Sequence, residues 1–275
     1  MTYALAALPE TLDPLAAATR PAQIVSRQIH EPLVAKINGP YEGMRGAPGL
    51  AFSVKPSNDR TVWTVALRTG VRFQDGSPLN AAAVLANSRR WSSVPQGRGL
   101  LPGLFAVDAP RPTEVRFLFK RPTSDLPDLL SAPQLGLVSP HALEPQGGEG
   151  ARFRRAAPGS GTGPFQLGAR SESRVELKRS ASWWGSPEGL GPALDAVRFA
   201  RAQSAAERVE LLASGDAQVV EPLDDAGLSL VADDPLLDSE TIDGIPVGLE
   251  ASVRGLESRS AVPLLSGVWL TRIGG

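Results

Sequence analysis

The sequence predicts an α/β or mixed α+β domain, and three features carry that reading. Short segments alternate apolar and polar residues with period two, as at residues 62–67 and 114–120. Helical segments are few and carry capping signals, the clearest at residues 204–214. Strand-rich stretches are interspersed with those helices along the chain.

The elements follow in order. Residues 3–8 form an apolar run that fits a short buried strand, ended by the turn residues Asp13 and Pro14. A helix fits residues 19–29, with Thr19 as N-cap and Val25 and Ile29 stacked one turn apart. Pro32 stops it, and residues 33–37 resume as strand. Over residues 62–67, Trp63, Val65 and Leu67 share one face. Asp75-Gly76 marks a tight turn, and Asn80 caps a helix bearing Val84, Leu85 and Trp91. Residues 114–120 bury Val115, Phe117 and Phe119. Residues 165–169 and 174–178 pair as a hairpin with Val175 and Leu177 inward. In the helix at 204–214, Ser204 and Glu207 form a capping box and Gly215 ends the last turn. Strands are expected at 217–221, 245–253 and 267–273. An acidic loop is expected over 224–243, and loops at 146–150 and 156–163.

Composition narrows the function classes. The 275 residues are 42% hydrophobic and 21% charged, enough to bury a sizeable core. With 28 basic and 29 acidic residues the net charge is -1, which gives no global field for nucleic acid. No cysteine is present, so thiol catalysis and cysteine zinc sites are excluded, and two distant histidines, His30 and His141, cannot build a histidine-rich metal centre. No cofactor or metal is expected. The apolar run at 3–8 is far short of the ~20 residues that span a bilayer, and it lacks the basic flank of a signal peptide.

Several residues invite a chemical reading beside a structural one. The loop Gly159-Ser160-Gly161-Thr162-Gly163 has the glycines of a phosphate cradle, but no Lys-Ser/Thr follows it; a glycine turn entering the strand at Phe165 is the plainer reading. Asp13, Glu31 and Asp75 are candidate carboxylates, each beside Pro or Gly at an expected turn or helix end. His30 and His141 read as packed or surface histidines. Ser160 lacks a nucleophile elbow and a partner histidine. Trp183-Trp184 has the shape for ligand stacking or for core packing. No reactive constellation emerges, so no catalytic residue is assigned and the chain reads as a non-enzyme.

Short motifs, in order, resemble the family 5 extracellular solute-binding proteins, which include oligopeptide, dipeptide and nickel binders. They are Thr11-Leu12-Asp13-Pro14, Glu31-Pro32-Leu33-Val34, the stretch from Trp63 to Ala81 with Phe73, Asp75 and Gly76, then Gly161-Thr162-Gly163-Pro164-Phe165, Trp183-Trp184-Gly185, residues 194–199, and residues 210–219 with Gly215. Two departures are Gln74, where histidine is usual, and Ala83, where aspartate is usual. The resemblance covers about residues 3–221.

It implies a type II periplasmic-binding-protein-like fold, with the first lobe at 1–221. Only a short stretch, 222–244, stands where the family continues into its second lobe, and 245–275 resembles the segment that returns to complete the first, so a single lobe is expected. Matched without gaps from Leu12-Asp13-Pro14, Ala18, Thr19 and Arg20 fall on the stretch that lines the cleft in peptide-binding relatives, where the backbone pairs with an extended ligand. The alternative for them is a helix N-cap followed by a solvated arginine. The implied role is the substrate-binding component of an ABC importer for peptides or similar solutes, outside the cytoplasm, with a permease partner and weak binding by one wall. The competing role is an interaction module, with a protein partner or a second copy as homodimer on the face that met the second lobe.

Overall fold

The computed structural model describes residues 1–35, 49–143, 160–187, 191–232, 237–240 and 249–253. The chain opens with β1 (Thr2–Leu5) and α1 (Arg20–Ile29), then leaves to build β2 (Ala51–Pro56), β3 (Val62–Leu67), α2 (Ala81–Ser93), α3 (Pro95–Leu100), β4 (Leu104–Arg111) and β5 (Glu114–Phe119). Short helices α4 (Leu126–Leu129) and α5 (Pro140–Leu143) lead back. There follow β6 (Phe165–Arg170), β7 (Arg174–Arg179), β8 (Ala196–Arg201), α6 (Ala205–Ser214), β9 (Val219–Leu223), α7 (Asp225–Ala232), β10 (Leu237–Glu240) and β11 (Leu249–Val253).

Two sheets result, in the orders β10-β11-β9-β1-β8-β7-β6 and β2-β3-β5-β4. In the larger sheet β1 runs parallel to both neighbours, with Tyr3 opposite Phe199 on β8 and Val219 on β9. A strand in that position is buried on both faces, which accounts for the unbroken apolar run Tyr3-Ala4-Leu5, all without exposed surface. Tyr3 and Leu5 pack with Ile24, Val25 and Ile29 of α1, and Ala4 with Val209 and Leu212 of α6. The helices therefore cover opposite faces. The smaller sheet is antiparallel and one-sided. Trp63, Val65, Leu67, Val115, Phe117 and Phe119 share a core with Val84 and Trp91 of α2, while Arg116 on the other face is exposed. Full burial of each such side chain contributes roughly 1.5–3 kcal/mol.

The signals at α2 and α6 act as expected. The Asn80 side chain accepts from Ala83 N–H at 3.0 Å. Ser204 Oγ accepts from Glu207 N–H at 3.1 Å, and Glu207 reaches back to Gln203 N–H at 2.8 Å, one residue before the cap. Gly215 ends the helix at φ 81, in the left-handed region.

Two expectations change, and two strands are added to those expected. Residues 33–35 are not a strand; Pro32 supplies no donor, and the segment contributes only isolated bonds such as Ala51 N–H to Leu33 O at 2.7 Å. The acidic stretch after Glu221 is not a loop throughout. It contains α7, where Asp224 Oδ1 accepts from Gly227 N–H at 2.8 Å, so acidic residues there favour a helix N-terminus. It also contains β10, which pairs with β11, itself antiparallel to β9. Strands β2 and β4 escape the period-two pattern because each carries a register shift against its partner. The strand expected at 267–273 and the loops at 146–150 and 156–159 lie outside the described residues.

Candidate ligand-binding site

In an open parallel sheet, a crevice forms beyond the carboxyl ends of the strands where the covering helices change face. Here that point is β1, with α1 leaving on one side and α6 lying on the other. Each helix sends an arginine to it. Arg208 of α6 donates from Nη1 to Ala202 O, just past β8, at 2.7 Å, and from Nε to Pro222 O on β9 at 2.8 Å. Arg20 of α1 forms a two-pronged bond to Glu221 on β9, Nε to Oε1 at 2.9 Å and Nη2 to Oε2 at 2.8 Å. Glu221 stands opposite Leu5 of β1 and is 1% exposed.

Ala18 and Thr19 sit at this end of the sheet and are exposed. Thr19 is the N-cap of α1 in extended conformation (φ -90, ψ 154), but its hydroxyl donates to Glu10 Oε2 at 3.2 Å instead of capping. Ala18 N–H is used by Ala16 O at 2.9 Å, and Thr19 O accepts from Gln23 N–H at 3.0 Å. Ala18 O and Thr19 N–H have no bond within the described residues. An extended backbone with one acceptor and one donor exposed is an edge on which another extended chain can pair. Arg20 is not the solvated arginine of the alternative reading, because its guanidinium is spent on Glu221.

The other candidates resolve into structural roles. Asp13 caps the short 3-10 turn at Pro14–Ala16 through Leu15 N–H at 3.1 Å, and its second oxygen pairs with Arg90 of α2, both groups buried. His30 beside them has no exposed surface, and burial pushes its pKa down to about 4, with Asp13 acting against that and Arg90 with it. Asp75 takes the Ser77 N–H at 2.9 Å and Ser77 hydroxyl at 2.6 Å, the Ser139 hydroxyl, and His141 Nδ1 at 3.6 Å. These donors hold its carboxyl below the usual range although burial opposes them. A serine, an aspartate and a histidine thus meet in the wrong order for catalysis. Ser139 is buried, donates to Asp75 and accepts the His141 N–H at 3.2 Å, so no base activates it.

The glycine loop lies against the end of α1. Gly163 N–H donates to Ile29 O at 2.8 Å, and a Cβ on Gly161 would stand 1.8 Å from that oxygen. This is the helix's negative end, which repels an anion, so a phosphate cradle is ruled out. Gln74 clamps the loop from the other side, its amide donating to Phe165 O at 2.7 Å. Trp183 and Trp184 turn their indole N–H groups onto Glu31 Oε2 at 3.4 and 2.9 Å, an arrangement of packing and not of ligand stacking. Burial pushes the Glu31 carboxyl up to about 7. No group of three or more His, Asp or Glu residues suited to a metal stands among the described residues, and none of their helices is long and apolar enough to cross a membrane.

The pairs Arg20–Glu221, Arg90–Asp13 and Trp184–Glu31 join residues 201, 77 and 153 positions apart. No spacing rule reaches that far, and sequence reasoning did not find them.

Comparison with known proteins is consistent with this geometry. The family model described as bacterial extracellular solute-binding proteins, family 5 Middle, matches residues 46–254. The glutathione-binding protein GsiB of Escherichia coli (strain K12) is 33% identical over 218 residues, 78% of this chain and 40% of that protein. The chain therefore spans about 40% of the length of the curated relatives it matches. Among solved structures, the binding protein AgaA in complex with agropinic acid from A. tumefaciens aligns with TM-score 0.75 at 23% identity, over 87% of this chain and 47% of that one. The Helicobacter pylori protein DppA in complex with peptide STSA aligns with TM-score 0.73 at 18% identity, over 87% and 50%. Both alignments show the fold, that of periplasmic binding proteins.

Proposed function

The chain belongs to the bacterial extracellular solute-binding proteins of family 5, and from that premise we propose that it binds peptides or similar small solutes for an ABC importer, outside the cytoplasm and with a permease as partner. The observation that carries the proposal is the exposed Ala18–Thr19 backbone at the carboxyl ends of β1, β8 and β9, with Ala18 O and Thr19 N–H open to an extended ligand. Arg20 acts behind that edge, fixing α1 to β9 through Glu221. The names of relatives favour small acids and peptides as the ligand class: one is called glutathione-binding, one is complexed with agropinic acid and one with a peptide. The role is one of binding and not of catalysis.

In this reading residues 1–221 form the first lobe. Residues 222–244 would bridge and 245–275 would return, and the pairing of β11 with β9 favours placing residues 249–253 on the first lobe's sheet. One wall buries less of a ligand than the 70–90% typical of enclosed pockets, so this chain alone should bind peptides with a Kd of about 1 mM, near -4 kcal/mol. Calorimetry against glutathione and short peptides, with light scattering alongside, tests the proposal. Thr19→Pro keeps the extended backbone and removes the N–H donor; it should abolish detectable binding without unfolding the chain. Unchanged binding in that variant overturns the assigned edge. Self-association with no ligand binding favours the interaction-module role instead.

A further inference from the structure

Among the described residues, the arginines withdrawn from solvent are spent on other groups, with one exception. Arg20 is held by Glu221 and Arg90 by Asp13, Arg68 gives its Nε to Gly49 O at 3.2 Å, and Arg208 donates to the carbonyls of Ala202 and Pro222. Arg27 of α1 is also partly covered, yet among the described residues neither an acid nor a carbonyl takes its guanidinium. Glu31, the next acid along the chain, is turned to Trp183 and Trp184, and the cation that bears on it is Arg68. The charge that bears on Arg27 is that of Arg20, which repels it. Burial first, then this repulsion, lowers the Arg27 pKa, but an arginine in a protein stays charged. A cation covered without a partner costs free energy, and an anion arriving from outside would relieve that cost.

The position of Arg27 fits that reading. Arg20 and Arg27 lie two turns apart on one face of α1, with Gln23 between them, while the opposite face buries Val25 and Ile29. Gln23 is partly exposed and its amide donates to Ala17 O at 3.2 Å, so this open face continues the Ala18–Thr19 edge down the helix. Helical side chains lean toward the helix start, which brings the Arg27 guanidinium back toward that edge. Arg27 stands about 10 Å beyond Arg20 along the axis, a distance that roughly three residues of an extended ligand span. Beside the edge itself, Glu10 takes the Thr19 hydroxyl and would repel a carboxylate. We propose that Arg27 is the carboxylate-binding group of the site, taking the acid end of a short peptide whose backbone pairs with Ala18 and Thr19, an inference that rests on the binding role argued above. The ligand class is then an anionic peptide or similar acid, with its carboxylate about three residues from the paired position.

Calorimetry and NMR titration with tetra-alanine and with its C-terminal amide, at constant ionic strength, test the assignment. The free acid should bind about tenfold more tightly than the amide, through a charge-assisted contact that the amide lacks. Arg27→Met should erase that difference, whereas Thr19→Pro should weaken both forms. Because R27M gives up no partner within the fold, its urea midpoint should be unchanged or raised. Acetate titrated against chloride, with no peptide present, should move the Arg27 Nε–H resonance, assigned with R27M, and leave that of Arg20 still. Equal binding of acid and amide by the wild-type chain, a preference for the acid that persists in R27M, an Arg27 resonance that acetate leaves unmoved, or a lowered midpoint in R27M each overturn the assignment, and peptide binding that remains sensitive to Thr19→Pro would leave the Ala18–Thr19 edge standing. If neither peptide binds while acetate still moves the Arg27 resonance, the edge fails instead and Arg27 remains a carboxylate site.

Discussion

Truncating Arg20 to alanine should cost much of this protein's stability. Glu221 is 1% exposed, and its two oxygens take the Arg20 fork at 2.9 and 2.8 Å. The Arg20 side chain itself is 19% exposed. Removing it leaves a carboxylate in the interior with its counter-ion gone, and breaking a buried pair from one side costs about 3–5 kcal/mol. That is a fifth or more of the roughly 5–15 kcal/mol that holds an ordinary domain folded. Urea melts followed by far-ultraviolet circular dichroism would show a midpoint lowered by one to several molar, for a slope of about 1–3 kcal/mol/M. The double variant Arg20→Met with Glu221→Leu removes both charges and keeps the volume, so it should recover most of the loss. If Arg20→Ala loses less than about 1 kcal/mol, or if the double variant is no better than the single, the buried-charge argument fails. The outcome also governs binding experiments: a ligand lost in Arg20→Ala cannot be credited to a contact with the guanidinium unless the fold is shown intact.

Other consequences are as specific. His30, lowered to about 4 from 6.5, contributes stability that is present above pH 6.5 and lost as pH falls toward 4; Glu31, raised from 4.5 to about 7, contributes stability that is present below pH 4.5 and lost as pH rises toward 7. The two slopes oppose between pH 4.5 and 6.5, so wild-type stability should be nearly flat there, while Glu31→Gln should gain stability with rising pH by on the order of 3 kcal/mol at most; equal slopes in the two proteins would refute the pairing. Gly161→Ala forces a Cβ to within 1.8 Å of Ile29 O and should prevent folding or cost several kcal/mol, whereas Gly99→Ala meets nothing within 4 Å and should be neutral or stabilising by up to about 1 kcal/mol. Ending the chain at Gly244 removes β11 and strips β9 of a neighbour; a shortened chain that melts cooperatively at the wild-type temperature would show residues 245–275 to be an appendage.

Much of the architecture is legible in the sequence because it rests on local rules. Residues 62–67 and 114–119 alternate because one face of β3 and β5 packs on α2 and the other does not. Asn80, Ser204 and Gly215 announce helix ends because caps are satisfied within a few residues. What local rules miss is of two kinds. Bulged strands such as β4 break the period on which the reading depends. Long-range pairs leave no periodic trace at all: Glu31 has the sequence signature of a turn residue beside Pro32, and nothing near it tells that two tryptophans 152 and 153 positions later will take up its carboxyl. Ala18 and Thr19 were reachable only through resemblance to known binding proteins, since an exposed backbone edge has no residue type of its own.

Three acids around α1, two of them buried, share a logic that bears on binding. Asp13 ties the turn before α1 to α2, Glu31 meets the tryptophans just after α1, and Glu221 ties α1's first turn to β9. All three fix α1, one at each end and one just ahead of it, and α1 carries the Ala18–Thr19 edge at its start. A helix held only by the apolar contacts of Ile24, Val25 and Ile29 could slide or roll on the sheet at small cost, because hydrophobic contact is non-directional. Charged hydrogen bonds fix direction as well as distance. In the proposed role the Ala18–Thr19 edge is set in place before a ligand arrives, and a wall that keeps its shape in water loses less ordering entropy on binding than a mobile one. On this reasoning, variants that loosen α1 from a distance, such as Asp13→Asn, should weaken ligand binding without touching the ligand, and should do so through a less favourable binding entropy. Calorimetry can separate that from a lost contact, which would instead appear as a smaller binding enthalpy with the entropy unchanged.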